Sequence, residues 1–250
     1  MAEINYVCGR NAVLELIKSG NSINKVLLLK SQNERRNSDI IHLLNKRAIP
    51  YQLVEKTVLD KYSAGAKHQG VLAFTAGKDY VEVEDILEIA RQKGEEPLIL
   101  MLDGIEDPHN FGALLRTADA AGVHGVIIPK RRSVGYTAVV SRTSAGAVEY
   151  VAVARVTNLV QTIKLLQDQG CWVSGAEVGG KDLFSADLSG PRVIVIGGEG
   201  KGLARLVRET CDEIVSVPMF GKISSLNASV AGSIILYEVR RQRIQALTGM

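Results

Sequence analysis

The sequence of 250 residues has few of the side chains that hold metal ions or disulfide frameworks. Its three cysteines, an odd number with no C-x-x-C spacing, lie at positions 8, 171 and 211. Its four histidines, which show no paired helical spacing, lie at positions 42, 68, 109 and 124. Such cysteines are typical of a reducing compartment and offer no zinc framework. We therefore expect no protein metal site.

Long apolar runs are also missing. No stretch of about 18 apolar residues occurs, and no apolar segment follows a basic start, so we expect neither a membrane span nor a signal peptide. Hydrophobic residues make up 46% of the chain and charged residues 23%, which is the composition of a folded globular protein. These features predict a cytoplasmic protein.

A glycine-rich segment, 197–202, lacks the spacing of two common phosphate-binding loops. A P-loop needs Ser or Thr directly after its Gly-Lys pair, and a second glycine five residues before the glycine of that pair. Here Gly202 follows the pair Gly200-Lys201, and Val195 stands five residues before Gly200. A dinucleotide fingerprint needs a third glycine where Arg205 stands. The segment therefore predicts a strand-to-helix turn, in which glycines let a ligand approach the main chain. Glu199 would lie at the tip of this turn, or it could simply be a solvated surface carboxylate.

Positive charge is concentrated near the N-terminus. Residues 1–78 hold twelve Lys and Arg against six Asp and Glu, a balance of +6, whereas the remainder has a balance of −3. A local excess of this kind attracts phosphates without regard to base sequence, although it is also compatible with an ordinary charged surface.

The hydrophobic pattern predicts two domains joined by a linker. Residues 1–76 alternate between short helices and strands and form a small α/β domain. The predicted helices are 10–18, 38–46 and 57–62, and the predicted strands are 25–29, 51–54 and 71–75. Residues 77–96 are polar and charged and predict a linker that contains a short helix.

Residues 97–250 predict an open parallel sheet with flanking helices. Their strands are continuous apolar runs, as expected when helices cover both faces of the sheet. The predicted strands are 98–102, 125–128, 150–154, 171–175, 193–196 and 214–217, and helices are predicted at 111–121, 158–168 and 203–210. Polar and glycine-rich segments follow three of these strands, so we expect them to meet at the carboxyl edge of the sheet.

These three segments carry a resemblance to a known family. They are Asn110-Phe-Gly-Ala-Leu-Leu-Arg116, Ile196-Gly-Gly-Glu-Gly-Lys-Gly-Leu203 and Val217-Pro-Met-Phe-Gly-Lys-Ile-Ser-Ser-Leu-Asn-Ala-Ser229. In this order they resemble the motifs of the SpoU (TrmH-like) family of RNA ribose 2′-O-methyltransferases, and Ala228 stands where a valine is common. Residues 141–147 also resemble a small-residue segment of that family. The N-terminal domain resembles the RNA-binding domain of its ribosomal members.

The resemblance implies a fold, a cofactor and a set of site residues. The last segment would be tucked through a loop to form a trefoil knot, a rare exception to unknotted topology. S-adenosylmethionine would be the cofactor. The resemblance implies five catalytic residues, which are Asn110, Arg116, Glu199, Ser225 and Asn227. It also implies that the cofactor is bound by Gly197, Val217, Pro218, Leu226 and Asn227.

By the same resemblance, Arg116 acts on the ribose hydroxyl. A guanidinium stays protonated near neutral pH, so we favour a cation that stabilises the developing alkoxide while the proton passes to a phosphate or water. Asn110 and Glu199 would orient it. Each residue also has an ordinary structural alternative: Asn110 and Asn227 could cap helices, and Arg116 could pair with Asp119 on the surface.

The sequence therefore predicts a methyltransferase that modifies a guanosine of large-subunit (23S) ribosomal RNA. A transfer-RNA guanosine methyltransferase is the main alternative, disfavoured because such enzymes usually carry short terminal extensions in place of a separate basic domain. A non-catalytic RNA-binding protein of ribosome assembly would have no need to keep Arg116, Glu199 and Asn227 together. A nucleotide-dependent oxidoreductase is less favoured, for the glycine spacing given above. The resemblance also implies a homodimer, through an apolar stripe on the last helix at about 227–245.

Overall fold

The computed structural model describes residues 6–19, 23–30, 37–63, 65, 67–75, 79–200 and 202–248. Its contacts divide the chain into two compact units. The first unit comprises Met1–Asp79 together with Gly135–Tyr150. The second comprises Tyr80–Val134 together with Val151–Met250.

The first unit contains a mixed four-stranded sheet. Its strands are β1 (Tyr6–Cys8), β2 (Ile23–Leu29), β3 (Tyr51–Val54) and β4 (Val71–Thr75), and its first helices are α1 (Arg10–Ser19), α2 (Ser38–Lys46) and α3 (Lys56–Ser63). The strand order is β1-β4-β2-β3, with only the β2–β3 pair parallel. The predicted elements of this part are confirmed. β1 is additional, because three residues are too few to produce a recognisable alternation.

Helices cover both faces of this sheet. Successive side chains of a strand point to opposite faces, and β2 buries three in a row. Val26 and Leu28 pack with residues of α1 and α2. Leu27, between them, packs with Leu59 of α3 on the other face. This two-sided burial explains why β2 reads as a continuous apolar run.

The second unit is organised around a six-stranded, wholly parallel sheet. Its strands are β5 (Leu98–Asp103), β6 (Gly125–Pro129), β7 (Val153–Val156), β8 (Trp172–Asp182), β9 (Arg192–Gly197) and β10 (Glu213–Ser216). The helices from Val83 onward are α4 (Val83–Lys93), α5 (Pro108–Ala120), α6 (Ala138–Thr143), α7 (Leu159–Asp168), α8 (Arg205–Thr210) and α9 (Ala228–Thr248). Of these, α6 belongs to the first unit. The predicted parallel α/β architecture is confirmed.

The strand order creates a switch point between β5 and β9. The order is β10-β8-β9-β5-β6-β7, so β6 and β7 lie on one side of β5 and the three last strands lie on the other. Loops that leave the carboxyl ends of such neighbouring strands diverge in opposite directions and leave a crevice between them. β5 ends at Asp103 and β9 at Gly197, and these two residues are register partners.

Helix α4 is more than a helix within a linker. Ile86, Leu87 and Ala90 are buried, and the first two belong to the core of the parallel sheet. The side chains of Glu82 and Asp85 form a reciprocal capping box at its start, and Gly94 ends it in the left-handed conformation. The charged residues that suggested a linker therefore occupy the exposed face of an amphipathic helix.

Residues 135–150 were expected to belong to the second domain, but their contacts are with the first unit. The Tyr150 hydroxyl donates a hydrogen bond of 2.7 Å to Glu15 on α1. Gly146 has a positive φ of 92°, and a Cβ placed on it would lie 2.6 Å from the Cβ of Glu15. Glycine is therefore required here both for the backbone conformation and for the close approach of α1.

The last helix, α9, is 21 residues long and packs against α5 and β9. Gly232 allows this packing, because a Cβ there would lie 2.6 Å from the side chain of Leu114. Ile235, Leu236 and Val239 are buried on the same helix. Within the described ranges, no helix combines the length and the apolar character needed to cross a bilayer.

Candidate functional site

Three polar segments begin at the carboxyl ends of β5, β9 and β10, as predicted. The first two are joined directly, since the N–H of Gly198 donates to the carbonyl of Asp103 at 2.8 Å. A Cβ on Gly198 would lie 2.4 Å from the carbonyl oxygen of Gly104. A Cβ on Gly197 would lie 2.3 Å from the backbone of Gly202. Only glycine fits at 197 and 198, because in both cases the neighbouring atoms are backbone.

Each segment contributes one side chain to a hydrogen-bonded triad, which consists of Asn110, Glu199 and Asn227. The amide of Asn110 donates to Glu199 Oε1 at 3.0 Å, and the amide of Asn227 donates to the same oxygen at 2.5 Å. The amide of Asn227 also lies 3.0 Å from Asn110 Oδ1. These residues are separated by up to 117 positions in the chain, so the fold alone brings them together.

The two asparagines differ in their relation to helices. The cap of α5 is Asp107, whose carboxylate accepts from the N–H of His109, and Asn110 lies inside the first turn. The alternative that Asn110 merely caps this helix is therefore wrong. Asn227 does cap α9, since its Oδ1 accepts from the N–H of Ser229 at 2.9 Å. It also takes part in the triad, so it stabilises the helix start and the site together.

A cavity of about 590 Å³ opens beside the triad. Its lining includes most of the residues predicted to contact a ligand, namely Gly197, Glu199, Val217, Ser225, Leu226 and Asn227. Apolar side chains of Ile196, Val215 and Ile235 form part of its wall. The volume lies in the range of small-molecule and cofactor sites. Asn110, Arg116 and Pro218 are not among its lining residues.

Arg116 lies on the exposed side of α5, in the same helix as Asn110. Within the described parts of the chain, no hydrogen bond or ion pair is assigned to its guanidinium. The surface pair with Asp119 considered from the sequence is therefore not formed. An exposed guanidinium can meet an anionic or developing anionic group of a ligand.

Two acidic residues of the site were missed by the sequence analysis. Glu177, in the long strand β8, lines the cavity and accepts a hydrogen bond from Arg208 Nε of α8. Asp103 Oδ2 accepts from the N–H of Ala204 at 2.6 Å and so fixes the start of α8. Asp103 directly follows a predicted strand, which was a usable signal. Glu177 gave none, because its strand was expected to end at residue 175.

Cys211, after α8, has a pKa unsuited to a nucleophile. Burial, with the nearby carboxylates of Asp212 and Asp103 as smaller causes, raises the pKa of Cys211 to about 12. A thiol with this pKa carries almost no thiolate at neutral pH. Among the described residues, no group of three or more His, Cys, Asp or Glu could hold a metal ion.

The fold and the site together define an α/β protein that binds a ligand at the carboxyl edge of a parallel sheet. Two sequence models of known families match the chain. Residues 97–237 match the SpoU rRNA Methylase family, and residues 6–81 match the domain described as RNA 2′-O ribose methyltransferase substrate binding. The chain belongs to the SpoU methylase family, and the resemblance inferred from its three motifs is confirmed.

Individual relatives extend this similarity over the whole chain. A Bacillus subtilis (strain 168) protein named provisionally as a TrmH family tRNA/rRNA methyltransferase, YacO, is 44% identical over 240 residues, or 96% of each chain. The SpoU methyltransferase AviRb of Streptomyces viridochromogenes, solved in complex with AdoMet, superimposes with a TM-score of 0.79 at 25% identity. That match covers 96% of this chain and 90% of AviRb. A TrmH/SpoU tRNA modifying enzyme of A. aeolicus matches 66% of this chain and 85% of its own, with a TM-score of 0.54 and 28% identity.

Proposed function

We propose that this protein transfers a methyl group from S-adenosylmethionine to the 2′-hydroxyl of a ribose in RNA. The observation that carries the proposal is the triad of Asn110, Glu199 and Asn227 beside the cavity. One residue of each family motif contributes to it. A protein that only bound RNA would have no use for this arrangement at a small-molecule cavity.

The cavity has the properties that an adenosine-containing cofactor requires. Its volume of about 590 Å³ suits a ligand of this size, and Leu226, Ile196 and Ile235 provide apolar surface for a base. Gly197, Gly198, Gly200 and Gly202 line the cavity, so main-chain groups form part of its wall and can hydrogen-bond to a ligand. The bound cofactor would supply an electrophilic methyl group on a sulfonium. The AdoMet complex of AviRb supports the same choice of cofactor.

The side chains of this chain would align the acceptor and handle its charge. We assign Arg116 to the ribose hydroxyl, where its cation stabilises the developing alkoxide. The hydroxyl proton passes to a phosphate or to water, because a guanidinium is already protonated. The new bond joins the ribose oxygen to the methyl carbon, and the sulfur keeps the electron pair of the broken bond. Asn110 and Glu199 would orient Arg116, and Ser225 and Asn227 would shape the pocket for cofactor and ribose.

We propose a guanosine of 23S ribosomal RNA as the acceptor. The presence of a complete N-terminal unit supports this choice, since transfer-RNA enzymes of the family usually carry only short extensions. Consistent with that argument, the match to the A. aeolicus tRNA modifying enzyme covers 66% of this chain, against 96% for AviRb. Methylation of a transfer-RNA guanosine remains the second candidate, because the name of YacO includes both kinds of RNA.

The decisive experiment maps methylated riboses in total RNA from cells with and without the gene. We expect one 2′-O-methylguanosine in 23S ribosomal RNA to disappear from the deleted strain and to return when the purified protein and S-adenosylmethionine are added to that RNA. A lost methyl group in transfer RNA instead would establish the second candidate. Identical maps from both strains, with no transfer by the purified protein, would refute the proposed activity.

RNA capture is assigned to residues 1–76, which would form the substrate domain. The positive balance of this region and the substrate-binding model over residues 6–81 support the assignment. Lys56 and Lys61 are exposed on α3 and can contact phosphates. Replacing both by alanine should weaken RNA binding and reduce the slope of log K against log salt by about 2. The matched control replaces Lys164, which is exposed on α7, and an equal effect there would contradict the assignment.

The working unit is proposed to be a homodimer that associates through α9, and the final chain segment is proposed to form the trefoil knot of the family. On α9, Val230, Tyr237 and Ile244 are 45%, 53% and 51% exposed, and Ile234 is half-buried. Apolar side chains that recur along one helix and remain in contact with water are suited to a self-complementary two-fold interface.

A further inference from the structure

Two carboxylates line the cavity, and they differ in how their charge is compensated. Glu177 accepts a hydrogen bond from Arg208 and forms an ion pair with it. Among the described residues, Glu199 accepts only from the neutral amides of Asn110 and Asn227. Neutral donors orient a carboxylate without cancelling its charge, whereas a guanidinium does both. Glu199 is therefore the carboxylate whose charge remains available to a ligand.

The geometry of the triad leaves one oxygen of Glu199 free. Both amides donate to Oε1, and among the described residues none is assigned to Oε2. Asn227 is itself held by the cap of α9, because its Oδ1 accepts from the N–H and the hydroxyl of Ser229. The carboxylate is thus held at one oxygen by amides on two helices, and its second oxygen can interact with the contents of the cavity.

Among the described residues, the rest of the cavity adds no positive charge. Its described lining residues include no lysine, arginine or histidine. They are mostly glycine, alanine, serine and aliphatic residues. Glu199 is exposed and also lines the cavity, so its carboxylate can meet a charged ligand there. A cavity of this kind favours a cationic ligand over a neutral ligand of the same shape.

We infer that Glu199 makes this site select the cationic methyl donor over its demethylated product. The inference rests on the proposed function and concerns the same cavity. S-adenosylmethionine carries a positive sulfonium, and S-adenosylhomocysteine has a neutral thioether at the same position. Apart from the methyl group, this charge is the main difference by which the site can distinguish the two ligands. The free oxygen of Glu199 supplies an attraction that exists before transfer and is lost after it.

This selection has a consequence for turnover. Methyl transfer removes the positive charge from sulfur, so the attraction to Glu199 ends when the product forms. The spent cofactor keeps its other contacts with the cavity but loses this attraction. Glu199 thereby lowers product inhibition without needing to contact the ribose.

The test compares three ligands by calorimetry at neutral pH and low salt, using the full-length protein. They are S-adenosylmethionine, S-adenosylhomocysteine and an analogue with an amine in place of the methylated sulfur. In Glu199→Gln, which keeps a carbonyl acceptor for the two asparagines, we expect the donor and the amine analogue to bind about tenfold more weakly. Binding of the demethylated product should change by less than about twofold, because a neutral sulfur feels little of the charge.

Glu177→Gln is the matched control, since Glu177 lines the same cavity but is paired with Arg208. It should leave the ratio of donor to product affinity close to that of the unchanged protein. An equal loss of donor and product binding in Glu199→Gln would overturn the inference and make Glu199 a purely structural member of the triad. Failure of the unchanged protein to bind any of the three ligands would refute the proposed function as well, so the two failures are distinguishable.

Discussion

At the scale of single residues, Asn227 has two sets of hydrogen bonds that a substitution can separate. Its Oδ1 caps α9, and its amide donates to Glu199. We expect Asn227→Ala to lower the free energy of unfolding by about 1 kcal/mol, the usual cost of a lost cap, and to reduce methyl transfer. Asn227→Ser restores a capping oxygen but provides no amide. It should recover the stability but not the activity, as measured by urea unfolding and by turnover.

These two variants test whether the triad has a function beyond the helix start. Full activity in Asn227→Ser would mean that capping is the whole contribution of Asn227. Equal stability of Asn227→Ala and the unchanged protein would mean that the cap is not important for α9.

Arg116 permits a second prediction at this scale. Lysine keeps the positive charge but replaces a planar set of five donors with a single ammonium. We expect Arg116→Lys to slow single-turnover methyl transfer by about 10²-fold or more, the range found when one positioned donor is removed from an oxyanion site. Cofactor binding should persist, because Arg116 does not line the cavity.

The control for this variant is Arg205→Lys, an exposed arginine on α8 that pairs only with Glu209 in the described hydrogen bonds. It should transfer methyl groups at the normal rate. A normal rate in Arg116→Lys would limit Arg116 to a surface role.

At the scale of elements, His124 connects the starts of β5 and β6. Its ring Nδ1 accepts from the main-chain N–H of Leu98 at 2.9 Å. The main-chain N–H of His124 donates to the carbonyl of Leu98 at 2.8 Å. Burial lowers the pKa of this imidazole, although the carboxylate of Glu95 partly opposes the shift. The folded protein therefore binds a proton at this site less readily than the unfolded chain does.

The sign of the resulting pH dependence follows from that difference. The stabilisation from neutral His124 is fully present above the unfolded value of about 6.5 and is lost as the pH falls towards the folded value. We expect the free energy of unfolding to decrease between pH 7.5 and pH 5.5. His124→Asn, which keeps an acceptor that does not titrate, should show a smaller decrease in urea unfolding. His42→Asn, at an exposed position of α2, is the control, and identical slopes in both variants would contradict this role of His124.

Elements with a strong period were predictable from the sequence, and their deviations have local causes. The apolar runs of β5 and β9 predicted a buried parallel sheet correctly, because both faces of these strands are covered. The end of β8 was missed, since its last residues, from Glu177 to Asp182, are polar or glycine except for Val178 and follow no burial pattern. Helix α6 was missed as well, because it is only six residues long and its β-branched Val139, Val140 and Thr143, with Ser141, have low helix propensity.

The site was predictable as a set of residues but not as a geometry. The motifs pointed to Asn110, Glu199 and Asn227. Because ligands bind at the carboxyl ends of parallel strands, these residues were expected at one edge of the sheet. The shared acceptor Oε1 and the pairing of Glu177 with Arg208 could not be predicted. Both depend on side-chain positions set by segments up to 117 residues apart, for which a sequence carries no local signal.

At the scale of the whole molecule, the proposed dimer gives a prediction about α9. Tyr237→Glu places a charge among the exposed apolar residues of this helix, and a buried unpaired charge is costly at an interface. We expect sedimentation at micromolar concentration to give twice the chain mass for the unchanged protein and the single mass for the variant, with a loss of activity. Leu206→Glu, at an exposed position of α8, is the control and should remain dimeric. A fully active monomer of the unchanged protein would contradict the dimer and leave the methyltransferase proposal intact.

The division into two units also changes how the chain can be cut. A fragment that begins near residue 96 would lack α4, whose Ile86 and Leu87 belong to the core of the second unit. Such a fragment is expected to unfold for reasons unrelated to RNA. Lysine substitutions on α3 in the full-length protein avoid this difficulty, because they change charge and leave the core intact.

The path of the chain through Gly135–Tyr150 has a further consequence for the evolution of this architecture. The chain enters the first unit twice, once as residues 1–79 and again between β6 and β7. The N-terminal region is therefore not a cassette that recombination can exchange at a single crossover. An N-terminal region acquired from a relative would set a foreign α1 against Gly146 and Tyr150, which are fitted to Glu15. Chimeras of related proteins should thus fold well only when both segments come from the same parent.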